Sequence, residues 1–417
     1  MSARPIDEPH RVSSQLELLF DLTFVVAVAA VTAELAHDIA EDHGLTGLVP
    51  FLQVFFAIWW AWMNFTWFAS SYDTDDVAYR LLTMVQMAGV LVLAAGVPLA
   101  ASTGDFKVVT LGYLVMRLAL VAQWVRAGLE DPVRRRTALR YAAGIGILQI
   151  WWILRFLVTD AGVLPPWLEP LSFVCLAAAE LAVPWWAEKA LATTWHPHHI
   201  AERYGLFTII LLGESVLAAS RGVGRALEAG DISSPFIVVA VSGLVLLFSL
   251  WWLYFLVEAG EGLSDRRHRS YLWGYGHYGI FAALAALGAG LEVAVEQSGH
   301  QVGASPMASG YAVAIPVGVC LVLLWAVHAL VVAEPAMRPS AVLGSSILIL
   351  LLPLAAPRVG VAAVVAAVTA ICVLLLAATI AAGTDRGRRG GASSWPVIST
   401  IRRAVEEPGP REAEPQP

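Results

Sequence analysis

The chain has 417 residues, of which 58% are hydrophobic and 14% charged, far from the roughly 45–50% apolar and about 25% charged residues of soluble globular domains. Its formal charge is −7, and it lacks the basic domain that phosphate backbones require, so nucleic acid is not an expected partner. Cys175, Cys320 and Cys372 each sit in an apolar run without metal-ligand spacing, which argues against a disulfide framework or a thiolate metal site.

The apolar runs are about 20 residues long, the length at which an α-helix crosses a hydrocarbon core of about 30 Å. They lack the alternation of spanning strands. In chain order, hydropathy predicts spans at 15–37, 47–70, 78–100, 107–127, 138–159, 168–187, 201–220, 235–258, 271–296, 310–332, 341–356 and 360–383. The expected fold is therefore an all-α integral membrane protein with about twelve transmembrane helices and the lipid bilayer as its partner. Span eleven is short and contains Pro353, so a re-entrant segment is an alternative there. Glu17 and Asp21 interrupt the stretch where a secretory signal would need an apolar core, and the first helix is expected to be retained.

With residues 1–14 inside, most of the 26 Lys and Arg residues fall on the cytoplasmic side, as the positive-inside rule requires. Both termini are expected there. The tail, 384–417, reads as partly disordered, although "SSWPVISTIRRAVEE" has the spacing for an interfacial helix over 393–406.

Comparing the chain with itself gives an internal repeat. At an offset of 192, Trp59, Trp60, Asp73 and Tyr79 meet Trp251, Trp252, Asp265 and Tyr271. With a seven-residue shift, Glu17 meets Glu202. The expected organisation is two parallel six-helix repeats, the first over about 15–187 and the second over 201–383, with span seven (to residue 220) opening the second. Parallel repeats of this kind occur in transporters, whose sites lie near the repeat interface.

An ionisable group within the bilayer costs roughly 2.5–3.5 kcal/mol on insertion scales, so each is a candidate pathway residue that needs a partner. These are Glu17, Asp21, Arg117, Arg155, Glu180, Glu202, Arg203, Glu214, His277, Glu292 and His328, with Asn64, Gln86 and Gln123 as polar company. Glu17 and Asp21, four apart, share one helix face; Glu17 fits either the aqueous interface or the interior. Arg117 lies mid-span, and Asp21, Glu180 and Glu214 are its available partners. A structural ion pair and an anion site are equally open for it. Arg203 and Glu214 lie three turns apart on one face, and Gly213 would admit a neighbouring backbone. "WHPHHIAE" offers His196, His198, His199 and Glu202, but not at metalloprotease spacing. No nucleophile–base pattern or phosphate loop stands out, and no metal or cofactor is expected. Asp75 or Asp76 is expected to cap span three.

"ELLFDLTFVVAVA", "YDTDDVAYRLLTMVQMAGVLVLAAGVP" and "HHIAERYGLFTIILLGESV" together resemble the bacterial low temperature requirement A family of multi-pass membrane proteins, over most of residues 12 to 383. The resemblance implies a bacterial plasma-membrane protein associated with growth in the cold, and it names no substrate. It marks Glu17, Phe20, Asp21, Asp73, Arg80, Glu202, Arg203, Gly213 and Glu214 as motif positions; Leu19 stands where the family usually has an aromatic. The expected function is a secondary transporter or permease for a proton or small solute, with Asp21 and Glu214 titrating and Arg117 as counter-charge. The alternatives are an enzyme acting on lipid or isoprenoid head groups through Asp73, the basic loops and the histidines, and a non-catalytic membrane component.

Overall fold

The computed structural model describes residues 11–165, 167–228, 233–298, 302–332 and 335–388, together with 1, 3–5 and 8; the stretch 393–406 lies outside them. Among the described residues there are only helices and loops: α1 (Gln15–Ala40), α2 (Gly44–Tyr72), α3 (Val77–Thr103), α4 (Lys107–Glu130), α5 (Arg135–Asp160), α6 (Leu168–Glu188), α7 (Pro197–Glu228), α8 (Ser234–Tyr254), α9 (Ala259–Asp265), α10 (Ser270–Ser298), α11 (Pro306–Val331), α12 (Pro339–Leu351), α13 (Ala356–Val359) and α14 (Val361–Arg388). Among the described residues twelve segments are long and apolar enough to cross a membrane, α9 adding to α8 and α13 completing α12. The protein is an all-α integral membrane protein. Pro353 is absorbed in a single 3-10 turn over Leu352–Ala355, after which the helix resumes, so 339–359 has the length of a full crossing.

Local chemistry sets the helix ends. Ser14 and Glu17 form a reciprocal capping box at the start of α1, which satisfies two backbone N–H groups that have no intrahelical partner. Asp76 caps α3, its carboxylate accepting from the Tyr79 N–H at 2.9 Å. Gly104 ends the same helix at φ 72°, a left-handed conformation in which a Cβ is penalised.

The helices run alternately between two faces, here the N-terminal face, where α1 begins, and the opposite face. α10 is the central element, packed against α1, α7, α8 and α11, and 83% of its apolar window is buried. α5, α6 and α12 lie at the periphery with less than a third buried. Packing partners recur between the halves: α1–α3, α3–α4 and α4–α5 correspond to α7–α10, α10–α11 and α11–α12. The chemistry does not recur with them. Trp59 and Trp60 are fully buried, whereas Trp251 and Trp252 point outward.

Candidate functional site

Four buried polar clusters stand out among the described residues. The first is at the N-terminal face. α1 presents Glu17 and Asp21, one turn apart, and α7 answers with His199 and Arg203 at the same spacing. The Arg203 guanidinium grips Asp21 with two bonds, Nε to Oδ2 at 2.9 Å and Nη2 to Oδ1 at 2.6 Å. Its Nη1 lies 3.1 Å from Glu17 Oε1. His199 Nε2 and Arg11 Nη2 approach that same oxygen at 3.1 and 3.4 Å, and the Trp62 indole N–H donates to Asp21 at 2.7 Å. Arg11 and Arg4 also reach Asp73, at the end of α2, at 3.5 and 3.6 Å. Removing an ion from water carries a penalty of several kcal/mol, which only close opposite charges and hydrogen bonds offset. Here Glu17, Asp21 and Asp73 are opposed by Arg4, Arg11 and Arg203. Burial and the neighbouring Glu17 charge push the Asp73 carboxyl up from its ordinary range, while burial pushes His196 down.

The second cluster lies mid-membrane. Arg117 Nη2 donates to Glu180 at 2.6 Å. The Glu180 carboxylate also accepts from Trp60 at 3.0 Å, Gln149 at 3.1 Å, Trp152 at 3.3 Å and Tyr113 at 3.4 Å. Two further nitrogens of Arg117, Nε and Nη1, have no hydrogen-bond partner among the described residues. A cavity of about 520 Å³ runs from the opposite face down to Tyr113 and Trp152, with Lys107, Asp160, Arg155 and Glu169 along it. Toward the N-terminal face from Arg117, Gln86 donates to Gln123 at 2.8 Å and Gln123 to Thr83 at 3.1 Å, a buried polar chain between α3 and α4.

The third cluster is at the opposite face, where Arg221 bridges Glu214 at 3.2 Å and Glu292 at 3.1 Å beside a cavity of about 530 Å³. The fourth lies within the second half: the buried His277 meets the Tyr254 hydroxyl at 3.1 Å, with His328 nearby on α11.

This geometry redistributes the expected site residues. Asp21, Arg117 and Glu214 do not share a cavity. Asp21 faces Arg203, Arg117 faces Glu180, and Glu214 faces Arg221, because each helix offers its charge at a different depth. Arg203 and Glu214, three turns apart on α7, serve opposite ends of the molecule. Glu17 is fully buried, while Glu202, its expected counterpart in the repeat, is exposed and accepts from the Ser13 N–H at 3.4 Å. Gly213 admits no neighbouring backbone, since a Cβ built there meets nothing within 4 Å. Phe20 packs on Phe65 with ring centroids 3.9 Å apart. Arg80 is an exposed partner of Asp75, and Asn64 bonds the Trp60 carbonyl of its own helix. Arg155 donates to Ser172 and the Glu169 carbonyl. Of the histidines, His199 turns inward to Glu17 and His198 lines a different cavity.

Sequence reasoning missed Arg11, Trp62, Tyr113, Gln149, Trp152 and Arg221 as members of these clusters. A signal existed for α7: His199 and Arg203 repeat the four-residue spacing of Glu17 and Asp21. The indole donors carried none, because a tryptophan in an apolar run reads as packing.

A model of the family described as bacterial low temperature requirement A protein matches residues 12–379. A curated relative from Rhizobium meliloti (strain 1021), named as an uncharacterized protein, is 28% identical over 286 residues. That match covers 64% of this chain and 66% of the relative, just under two thirds of the relative's length.

Proposed function

Since the chain belongs to the bacterial low temperature requirement A family, a membership that specifies a multi-pass membrane protein and no substrate, we propose that it is a permease whose pathway for a proton or small solute passes the Arg117–Glu180 pair. One observation carries this reading. The cavity from the opposite face ends on Tyr113 and Trp152, and these two side chains bond Glu180 directly. A solute entering that cavity is one side chain away from a buried carboxylate and a guanidinium with two nitrogens that have no partner among the described residues. On the far side, the Gln86–Gln123–Thr83 chain continues the polar route toward the N-terminal face. There the Glu17–Asp21–Arg203 network ties α1 to α7 and acts as the closed gate. The N-terminal face, with its excess of arginine, is the cytoplasmic one of a bacterial plasma membrane, and the recurring packing partners fit two parallel repeats.

The head-group enzyme is less well served. It needs Asp73 and the histidines at an open cleft, whereas Asp73 is engaged with Arg4 and Arg11 and His199 with Glu17.

The test is flux into proteoliposomes containing a trapped pH-sensitive dye. An imposed gradient should drive flux that falls by at least about tenfold in Glu180→Gln. Thr110→Trp, which obstructs the cavity and leaves the ion pair intact, should lower it as well. Glu214→Gln should leave it unchanged. Wild-type flux that persists in both Glu180→Gln and Thr110→Trp would overturn the proposed route.

A further inference from the structure

A separate cavity of about 440 Å³ opens at the N-terminal face and lies wholly within the second half, among α7, α8, α9, α10 and α11. It shares no lining residue with the cavity that leads toward Glu180. Its walls are Tyr254, Phe255, Trp273, His277 and His328, and its rim carries Glu258. No lysine or arginine lines it.

Two of these side chains are already satisfied by each other. His277 Nδ1 lies 2.8 Å from the Trp273 carbonyl, which can only accept, so Nδ1 carries the proton and the neutral ring's Nε2 accepts from the Tyr254 hydroxyl at 3.1 Å. The others are unsatisfied. His328 is 5% exposed and its Nδ1 has no hydrogen-bond partner among the described residues, and the same holds for the Trp273 indole N–H. The Glu258 side chain is exposed and makes no cap hydrogen bond to α9. The short helix α9 lies directly over His198, so closely that a Cβ at Gly260 would come within 2.4 Å of the His198 ring.

This inventory selects a charge sign. Aromatic faces attract cations through the ring quadrupole, and the one acidic side chain lining the cavity is that of Glu258. An anion entering would meet Glu258 and no compensating cation. We propose that this cavity is a binding site for a small organic cation, an ammonium group on an apolar body, with the charge between Glu258 and the aromatic walls and the body among Tyr254, Trp273 and His328. His328, with its unpartnered Nδ1, is left to bond the ligand, while His277, engaged with Trp273 and Tyr254, serves as a wall. The site stands apart from the Arg117–Glu180 route, and neither depends on the other.

Titration calorimetry on the purified full-length protein in nanodiscs at pH 8 tests it, with benzylamine, benzyl alcohol and benzoate as isosteric cationic, neutral and anionic probes. Benzylamine should bind saturably and at least about tenfold more tightly than the other two, the combined effect of a rim carboxylate and cation–π contacts. Glu258→Gln, at an exposed position that leaves the fold intact, should remove most of that preference. His328→Trp should abolish binding by filling the cavity. Equal binding of the three probes, preference for benzoate, no saturable binding, or an unchanged preference in Glu258→Gln would each overturn the proposal.

Discussion

Glu17 divides its carboxylate between two tasks. Oε2 accepts from the Ser14 N–H at 2.7 Å and completes the cap of α1, while Oε1 faces Arg203, His199 and Arg11. Glu17→Gln keeps the cap geometry and removes the charge, leaving two buried guanidinium groups under-compensated. Breaking a buried pair this way costs roughly 3–5 kcal/mol, so a large drop in melting temperature in detergent is expected, while the exposed Glu202→Gln should change it little. Asp76 gives a pH-dependent counterpart. Arg126, at 2.7 and 2.6 Å, and the Tyr79 N–H hold its carboxyl well below the usual range. Its contribution is therefore complete above the unfolded value of about 3.9 and is lost as pH falls toward the folded value. Asp76→Ala should remove about 1 kcal/mol of capping at pH 7, and the gap to wild type should narrow below pH 4 in melts followed by circular dichroism. At this scale the spacing of Glu17 and Asp21 was legible in the sequence, as was a cap at Asp75 or Asp76, between which the structure chooses Asp76. The partner of Asp21 was not, because one helix face does not reveal which neighbour, or which depth, it will meet.

Helix packing turns on where small residues meet backbone. A Cβ on Gly112 of α4 would lie 2.3 Å from the Leu93 nitrogen of α3, and one on Gly290 of α10 would lie 2.1 Å from the Ala312 carbonyl oxygen of α11. Neither neighbour is a side chain that can rotate away. Gly112→Ala and Gly290→Ala should each destabilise by about 1–3 kcal/mol through overpacking, whereas Gly213→Ala should be neutral or slightly stabilising, since alanine is the better helix former; thermal melts of the three variants give the ranking. The twelve crossings were readable from hydropathy because each is a local property of 20 or so residues. Which glycine sits in a crossing point is a property of two helices, and the sequence could not distinguish Gly213 from Gly112. The paired tryptophans make the same point: "WW" recurs in α2 and α8, yet only the first pair is enclosed.

For the molecule as a whole, the proposed sidedness can be tested by accessibility. In a Cys175→Ser background, which removes the exposed native thiol, Gln53→Cys in the cavity below the opposite face should react with a membrane-impermeant maleimide added outside intact cells. Inverted vesicles should protect it. Arg203→Lys, which loses the two-pronged grip on Asp21, should loosen the N-terminal face and allow labelling in inverted vesicles too. The alternation of faces and the charge bias between them were visible from loop arginines alone, whereas the division of buried charges among three clusters emerged only from tertiary packing. The enclosure of α10 bears on how the chain is made. Synthesised ninth of the crossings, α10 carries His277 and Glu292 into lipid when α1, α7 and α8 are already in place and α11 is still to come. It meets a waiting surface on one side and bare lipid on the other until α11 arrives. A nascent chain arrested after α10 has entered the bilayer and before α11 has followed would therefore leave against lipid the face of α10 that α11 comes to cover.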